Sequence, residues 1–231
     1  MIDALRVKFR KGVMNMIDRR VFCLALLLSV TYFFLPCSEE AFSAAPNPPI
    51  KIGLLVPMSG PFVLQGTTVA KGFELYLAQN NGKLGDQEII VLKEDSEGKP
   101  DVGLTKVKKL VEKDKVDIVV GPINSAVAFA IQKYINTSNT PVVSPLSTAE
   151  GLTKPPNVSP YVFRVQVTAM QVNMPLGTWV FKNTKHRKMA VIATDFAPGR
   201  DGAEAFAKGF EAAGGKIVKA VYPKVGEADF A

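Results

Sequence analysis

Cysteine and histidine are almost missing from this chain of 231 residues, which has two of the first and one of the second. Both cysteines, Cys23 and Cys37, lie before residue 45, so beyond that point neither a disulfide nor a thiol nucleophile is available. The single histidine, His186, sits in the basic turn "KNTKHRK" ahead of a strand-like run and reads as a solvated loop residue. That leaves too few ligands for a transition-metal site, and no cofactor is expected. No G-x-x-x-x-G-K-S/T loop and no G-x-S-x-G elbow occurs, which removes two common routes to nucleotide and acyl chemistry. The one glycine-bearing turn of interest, "VIATDFAPGRDGAEAF", lacks the full G-x-G-x-x-G pattern. It also carries Asp201, an acid that would repel a pyrophosphate.

Long apolar runs are scarce as well. The longest, "VFCLALLLSVTYFFLP" at 21–36, has 16 residues, short of the roughly 20 that a spanning helix needs. A basic stretch ending in Arg19 and Arg20 precedes it, and the small residues of "AFSAA" follow. Together these predict an export leader over residues 1–45, cleaved after Ser43, with Met14 or Met16 as an alternative start. The paired arginines point toward twin-arginine export, but Asp18 stands where Ser or Thr is usual. Pro36 argues against lipid attachment at Cys37, and a retained anchor is the competing reading. The expected location is periplasmic or otherwise extracytoplasmic. The net charge of +7 is spread over several helices, with one short cluster at Lys106, Lys108 and Lys109. That pattern fits a solvated surface rather than a nucleic-acid stripe.

From Ile50 onward, strand-like runs alternate with amphipathic helical stretches. "IKIGLLVP", "DIVV" and "PVVS" are continuously apolar, as strands are when both faces of a parallel sheet are covered. Between the runs, Val69, Phe73, Tyr76 and Leu77 recur at helical spacing, then Leu104, Val107, Leu110 and Val111, then Val127, Ala130, Ile131, Tyr134 and Ile135. This βαβα rhythm predicts an α/β fold with a doubly wound parallel sheet. The proline-rich "EGLTKPPNVSP" at 150–160 marks a change of unit, with "YVFRV" after it. A new set follows: helix near 169–182, strand at 188–193, helix at 201–213, strand at 216–222. Pro175 falls inside the first of these helices, which either starts late or kinks. The expected organisation is a leader at 1–45, an N-terminal lobe at 46–165, and the start of a second, incomplete lobe at 166–231.

Ligands of open α/β sheets bind outside the carboxyl ends of strands, near helix N-termini. Three stretches fit that position: "PMSGPFVLQG" (57–66), ahead of a helix expected to begin near Thr67, "GPINS" (121–125) and "SPLSTAEGLT" (144–153). Asn124 or Ser125 at a helix N-cap, with Ser147 and Thr148 from the next loop, could hold a carboxylate without any arginine. Taken singly, each hydroxyl reads as a cap or turn residue. Three such loops at one sheet edge read as a site.

These same stretches carry a resemblance. "IKIGLLVPMSGPFVLQG", followed by "AKGFELYL", "GPINSAVAFAI", "PVVSPLSTAEGLT" and "YVFRVQ", occurs in the order and spacing of the extracytoplasmic solute-binding proteins of branched-chain amino acid ABC transporters. The likeness covers about residues 50–231 and implies a bilobed type I periplasmic-binding fold. It implies capture rather than catalysis, and an ABC permease as membrane partner. It also implies that Ser125 and Thr148 hold the α-carboxylate and α-ammonium of an amino acid, with Leu146 offering backbone. A family tyrosine in the first loop is matched by Gln65. A second is replaced around Phe196 and Pro198, and "DFAPGRDGAEAF" is similar to a subgroup associated with aromatic or other organic acids. The expected ligand is therefore a branched-chain amino acid or a related organic or aromatic acid, bound by a monomer. Arg164, at the start of the expected hinge at 163–168, reads as structural. A receptor ectodomain of the same fold is the alternative, an enzyme the remote one. The leader and the lack of a helix-turn-helix argue against a cytoplasmic repressor core.

Overall fold

The structure, a computed structural model, describes residues 47–229; the expected leader and both cysteines lie outside them. Six strands form the first sheet: β1 (Ile50–Val56), β2 (Lys83–Leu84), β3 (Gln87–Asp95), β4 (Ile118–Val120), β5 (Val142–Ser144) and β6 (Val162–Arg164). Their order is β2-β3-β1-β4-β5-β6. All pairings are parallel except the short β2–β3 ladder. The helices between them are α1 (Val63–Gln79), α2 (Pro100–Lys108, continued by a π turn to Lys113) and α3 (Ser125–Ser138).

The continuous apolar character of β1 follows from its central place. Successive side chains of a strand point to opposite faces. Leu55 enters a cluster with Val107, Leu110, Val119, Val127 and Ile131. Its neighbours Leu54 and Val56 enter a second cluster with Ala70 and Ile123, against which Phe62 and Phe73 pack. Both sheet faces are thus covered, and Leu54, Leu55 and Val56 are fully buried. At about 25 cal/mol per Å2 of apolar surface, each such side chain contributes on the order of 2 kcal/mol.

Beyond β6 come α4 (Ala169–Asn183), β7 (Lys188–Ile192), α5 (Ala197–Ala212) and β8 (Lys216–Val221). β7 and β8 pair in parallel as a separate two-stranded sheet. Thr168 starts α4 with a capping box: its hydroxyl accepts from Gln171 N at 3.1 Å, and Gln171 Oε1 accepts from Thr168 N at 2.8 Å. The cap explains why α4 begins six residues ahead of Pro175 rather than late; the helix runs through the proline.

Two helix starts differ from the expected positions. α1 begins at Val63, four residues before Thr67, so Gln65 and Gly66 are helical rather than loop residues. Gly66 is there for close packing: a Cβ on it would stand 1.9 Å from the Pro57 carbonyl oxygen. α5 begins at Ala197, with Pro198 in its first turn, so Asp201 lies within the helix. Among the described residues, no helix is long and apolar enough to cross a membrane.

Candidate functional site

Because β1, β4 and β5 are parallel neighbours, the segments that leave their carboxyl ends emerge at one edge of the sheet. There they enclose a cavity of about 220 Å3. Phe62 and Gln65 reach it from the start of α1, Ile123, Asn124 and Ser125 from the start of α3, and Leu146 and Thr148 from the segment after β5. Phe196 and Pro198, at the start of α5, complete its wall, and the rings of Phe62 and Phe196 stand 6.5 Å apart. Larger hollows lie elsewhere, one of about 400 Å3 along β7 and α5 and one of about 480 Å3 between Glu150 and α4. Neither gathers two helix starts and hydroxyl groups, and the smaller cavity is the chemically competent one.

The polar groups that α3 and the segment after β5 bring to the wall have defined jobs. The side chain of Asn124 caps α3, accepting from Ala126 N at 2.8 Å and Val127 N at 3.3 Å. Those two amides are therefore spent on the cap. Asn124→Ala should lower stability by about 1–2 kcal/mol in a urea titration. Ser125 is almost fully buried, and its hydroxyl accepts from Ala149 N at 3.3 Å. A hydroxyl has one donor and two acceptor sites, so the proton of Ser125 is left to give. Thr148 lines the cavity, and its carbonyl accepts from Ala169 N at 3.0 Å. α3 directs its N-terminal, positive end at the cavity, and no charged side chain lines the wall. The arrangement suits a small anion with an apolar body.

Ser147 lies apart from the other expected site residues. Its side chain is not in the cavity wall but fully buried, and its hydroxyl donates to the Pro122 carbonyl at 3.2 Å, beside Ser144, which donates to the same oxygen at 2.9 Å. Two hydroxyls on one carbonyl lock the "GPINS" turn to β5 and to the loop after it. Sequence reasoning missed Phe62 and Ile123 as wall residues; the signal available was an aromatic directly after Gly60 and Pro61 in the loop leaving the first strand.

The frame behind the wall is polar and non-local. Arg164 donates to Ala149 O at 2.7 Å and to Thr153 Oγ1 at 2.6 Å, so it holds the Thr148 loop from behind and does not reach the cavity. Asp95 accepts from Met58 N at 2.8 Å, Ser59 Oγ at 2.7 Å and Glu97 N at 2.7 Å, fixing the loop that carries Phe62. Burial alone would push its carboxyl up, but these hydrogen bonds, led by the one from Glu97, hold it below its ordinary value.

A type I periplasmic-binding architecture with an anion-suited cavity at the sheet edge defines a class, the solute-binding proteins, which are not enzymes. The chain belongs to the periplasmic binding protein family, whose sequence profile matches residues 49–231. It is 31% identical over 192 residues to a Leu/Ile/Val-binding protein homologue of Brucella abortus, covering 82% of this chain and 48% of that one. A solute-binding protein of an ABC transporter from Rhodopseudomonas palustris, solved with 3,4-dihydroxybenzoic acid, superposes with a TM-score of 0.74 at 28% identity, over 79% of this chain and 49% of that one. Another from the same organism, solved with benzoate, gives 0.74 at 29%, over 79% and 50%. The chain thus spans about half the length of the proteins it matches. Membership of this family implies an extracytoplasmic location.

Proposed function

We propose that this chain captures a small carboxylate-bearing solute, an aromatic acid foremost, and delivers it to an ABC permease after export by the leader at residues 1–45. The carrying observation is Ser125. Its hydroxyl takes the Ala149 amide and keeps its own proton for a carboxylate, at the N-terminal end of α3 and opposite Thr148. The paired rings of Phe62 and Phe196 favour a flat apolar body over a branched aliphatic one. The benzoates bound by two solved relatives agree with that choice. Residues 165–168, between β6 and α4, serve as the hinge about which the lobes close on the solute. Closure follows from better contacts in the closed state, and the permease reads that shape.

A thermal-shift panel of benzoate, 4-hydroxybenzoate, leucine and a sugar tests this. A solute at 100 times its Kd adds about 2.7 kcal/mol, a clear rise in midpoint. The expected result is a rise with the benzoates that disappears in Ser125→Ala and Thr148→Ala. A rise with leucine alone would transfer the site to an aliphatic amino acid. No rise with any acid would overturn the solute-binding reading and favour a receptor ectodomain of the same fold.

A further inference from the structure

We propose that Asp201 is an interlobe latch that closes over the bound solute without touching it, and so sets how long the solute stays. This rests on the solute-binding reading above. Among the described residues, hydrogen bonds between residues 47–164 and residues 169–229 fall in two places. One is the N-terminus of α4, where Ala169 N donates to Thr148 O at 3.0 Å and Met170 N donates to Glu150 Oε1 at 2.8 Å. These bonds adjoin the hinge segment and survive a rotation about it. The other is the bond from Glu150 N to Asp201 Oδ2, at 2.8 Å between residues 51 apart. It joins the segment after the Thr148 loop to the second turn of α5, the helix whose start carries Phe196 and Pro198, so a rotation that draws those two residues off the cavity draws Asp201 off the amide.

The two sides of this bond are unequal in the way a latch requires. Glu150 is fixed in place: its carboxylate pairs with Lys154 at 2.6 Å and takes the Met170 amide beside the hinge, and Arg164 holds the adjoining Ala149 carbonyl. Its amide is therefore presented in one direction. Asp201 rides on α5, the helix whose start carries Phe196 and Pro198 into the cavity wall. Seating a solute against Phe196 brings Asp201 to the Glu150 amide in the same movement. Asp201 is absent from the cavity wall, so it contributes through closure alone. An ionised carboxylate on a backbone amide is about twice as strong as a neutral bond and worth most once water is shut out.

The test uses the full chain and whichever of benzoate, 4-hydroxybenzoate and leucine gives the largest midpoint rise. Solute release is followed by stopped flow in the parent protein, Asp201→Ala and Asp201→Asn. The expected result is release about tenfold faster in Asp201→Ala, with a smaller increase in Asp201→Asn, which keeps an acceptor oxygen but loses the charge. The association rate and the melting midpoint without solute should stay at the parent values. Release at the parent rate in both variants overturns the latch while leaving solute binding intact. So does a fall in the unliganded midpoint with an unchanged release rate, the mark of a merely structural acid on α5. If the parent protein binds none of the three acids, the solute-binding reading itself has failed, and the latch falls with it.

Discussion

Gly121→Ala should destabilise the protein by about 3–5 kcal/mol, the largest effect of any single methyl group added near the site. Gly121 has φ +112, a region closed to residues with a side chain, and a Cβ there would lie 2.0 Å from the Leu55 carbonyl oxygen. Its amide meanwhile donates to Val143 O at 2.8 Å, so the backbone cannot shift without giving up a bond between β4 and β5. Leu55 sits in the central strand and is itself fully buried, so it has nowhere to retreat. Urea unfolding followed by circular dichroism measures the loss, and a change below about 1 kcal/mol would contradict the geometry. The variant should also lose solute, because Ile123, Asn124 and Ser125 follow directly from the turn that Gly121 makes.

The second large effect belongs to Asp95. Its three hydrogen bonds tie the end of β3 to the loop after β1, and Asp95→Ala should cost about 3 kcal/mol, since bonds to a charged acceptor are worth more than neutral ones. The same contacts give a pH signature. Asp95 titrates below its ordinary value of 3.8 in the folded protein, so its contribution is complete above that value. It is lost as pH falls through the lower, folded value. Three other carboxyls share the sign, among them Asp195, which the hydrogen bond from Arg200 holds below its ordinary value. Burial raises Glu94, but Lys106 and Lys109 more than compensate. Burial raises Glu150, but Lys154, Thr168 and the Met170 amide pull it below normal. Stability should therefore hold from neutral pH to about 5 and fall steeply below about 4. The fall should be shallower in Asp95→Asn. Melting midpoints at half-unit steps of pH check this, and parallel curves for the two proteins would sink it.

Much of the fold was legible because local pattern and tertiary role coincide. β1, β4 and β5 read as continuous apolar runs because helices cover both faces of the sheet. The "GPINS" junction read as a capped helix start because Asn124 meets its partners within three residues. What escaped were features whose meaning depends on distant partners. Gly66 looked like a loop glycine, whereas the Pro57 carbonyl makes it a packing glycine inside α1. Ser147 and Thr148 are adjacent hydroxyls with no sequence difference to separate them; only the Pro122 carbonyl, 25 residues earlier, draws one into the core. Asp95, Arg164 and Asp201 act on partners 37, 15 and 51 residues away, beyond any window of local periodicity.

The two ends of the cavity differ in how freely they can be rewritten. At the Ser125 end, the polar groups of the wall also hold the chain together: Ser125 takes the Ala149 amide, Asn124 caps α3, and the Thr148 carbonyl anchors α4. At the other end, Phe62, Gln65 and Phe196 contribute side chains that carry no such structural bond, and Gln65 is exposed. Substitutions that redirect the protein to a new cargo are therefore cheapest at the aromatic end. On the proposed function, the Ser125 end would stay in place as a fixed socket while the body of the solute is changed.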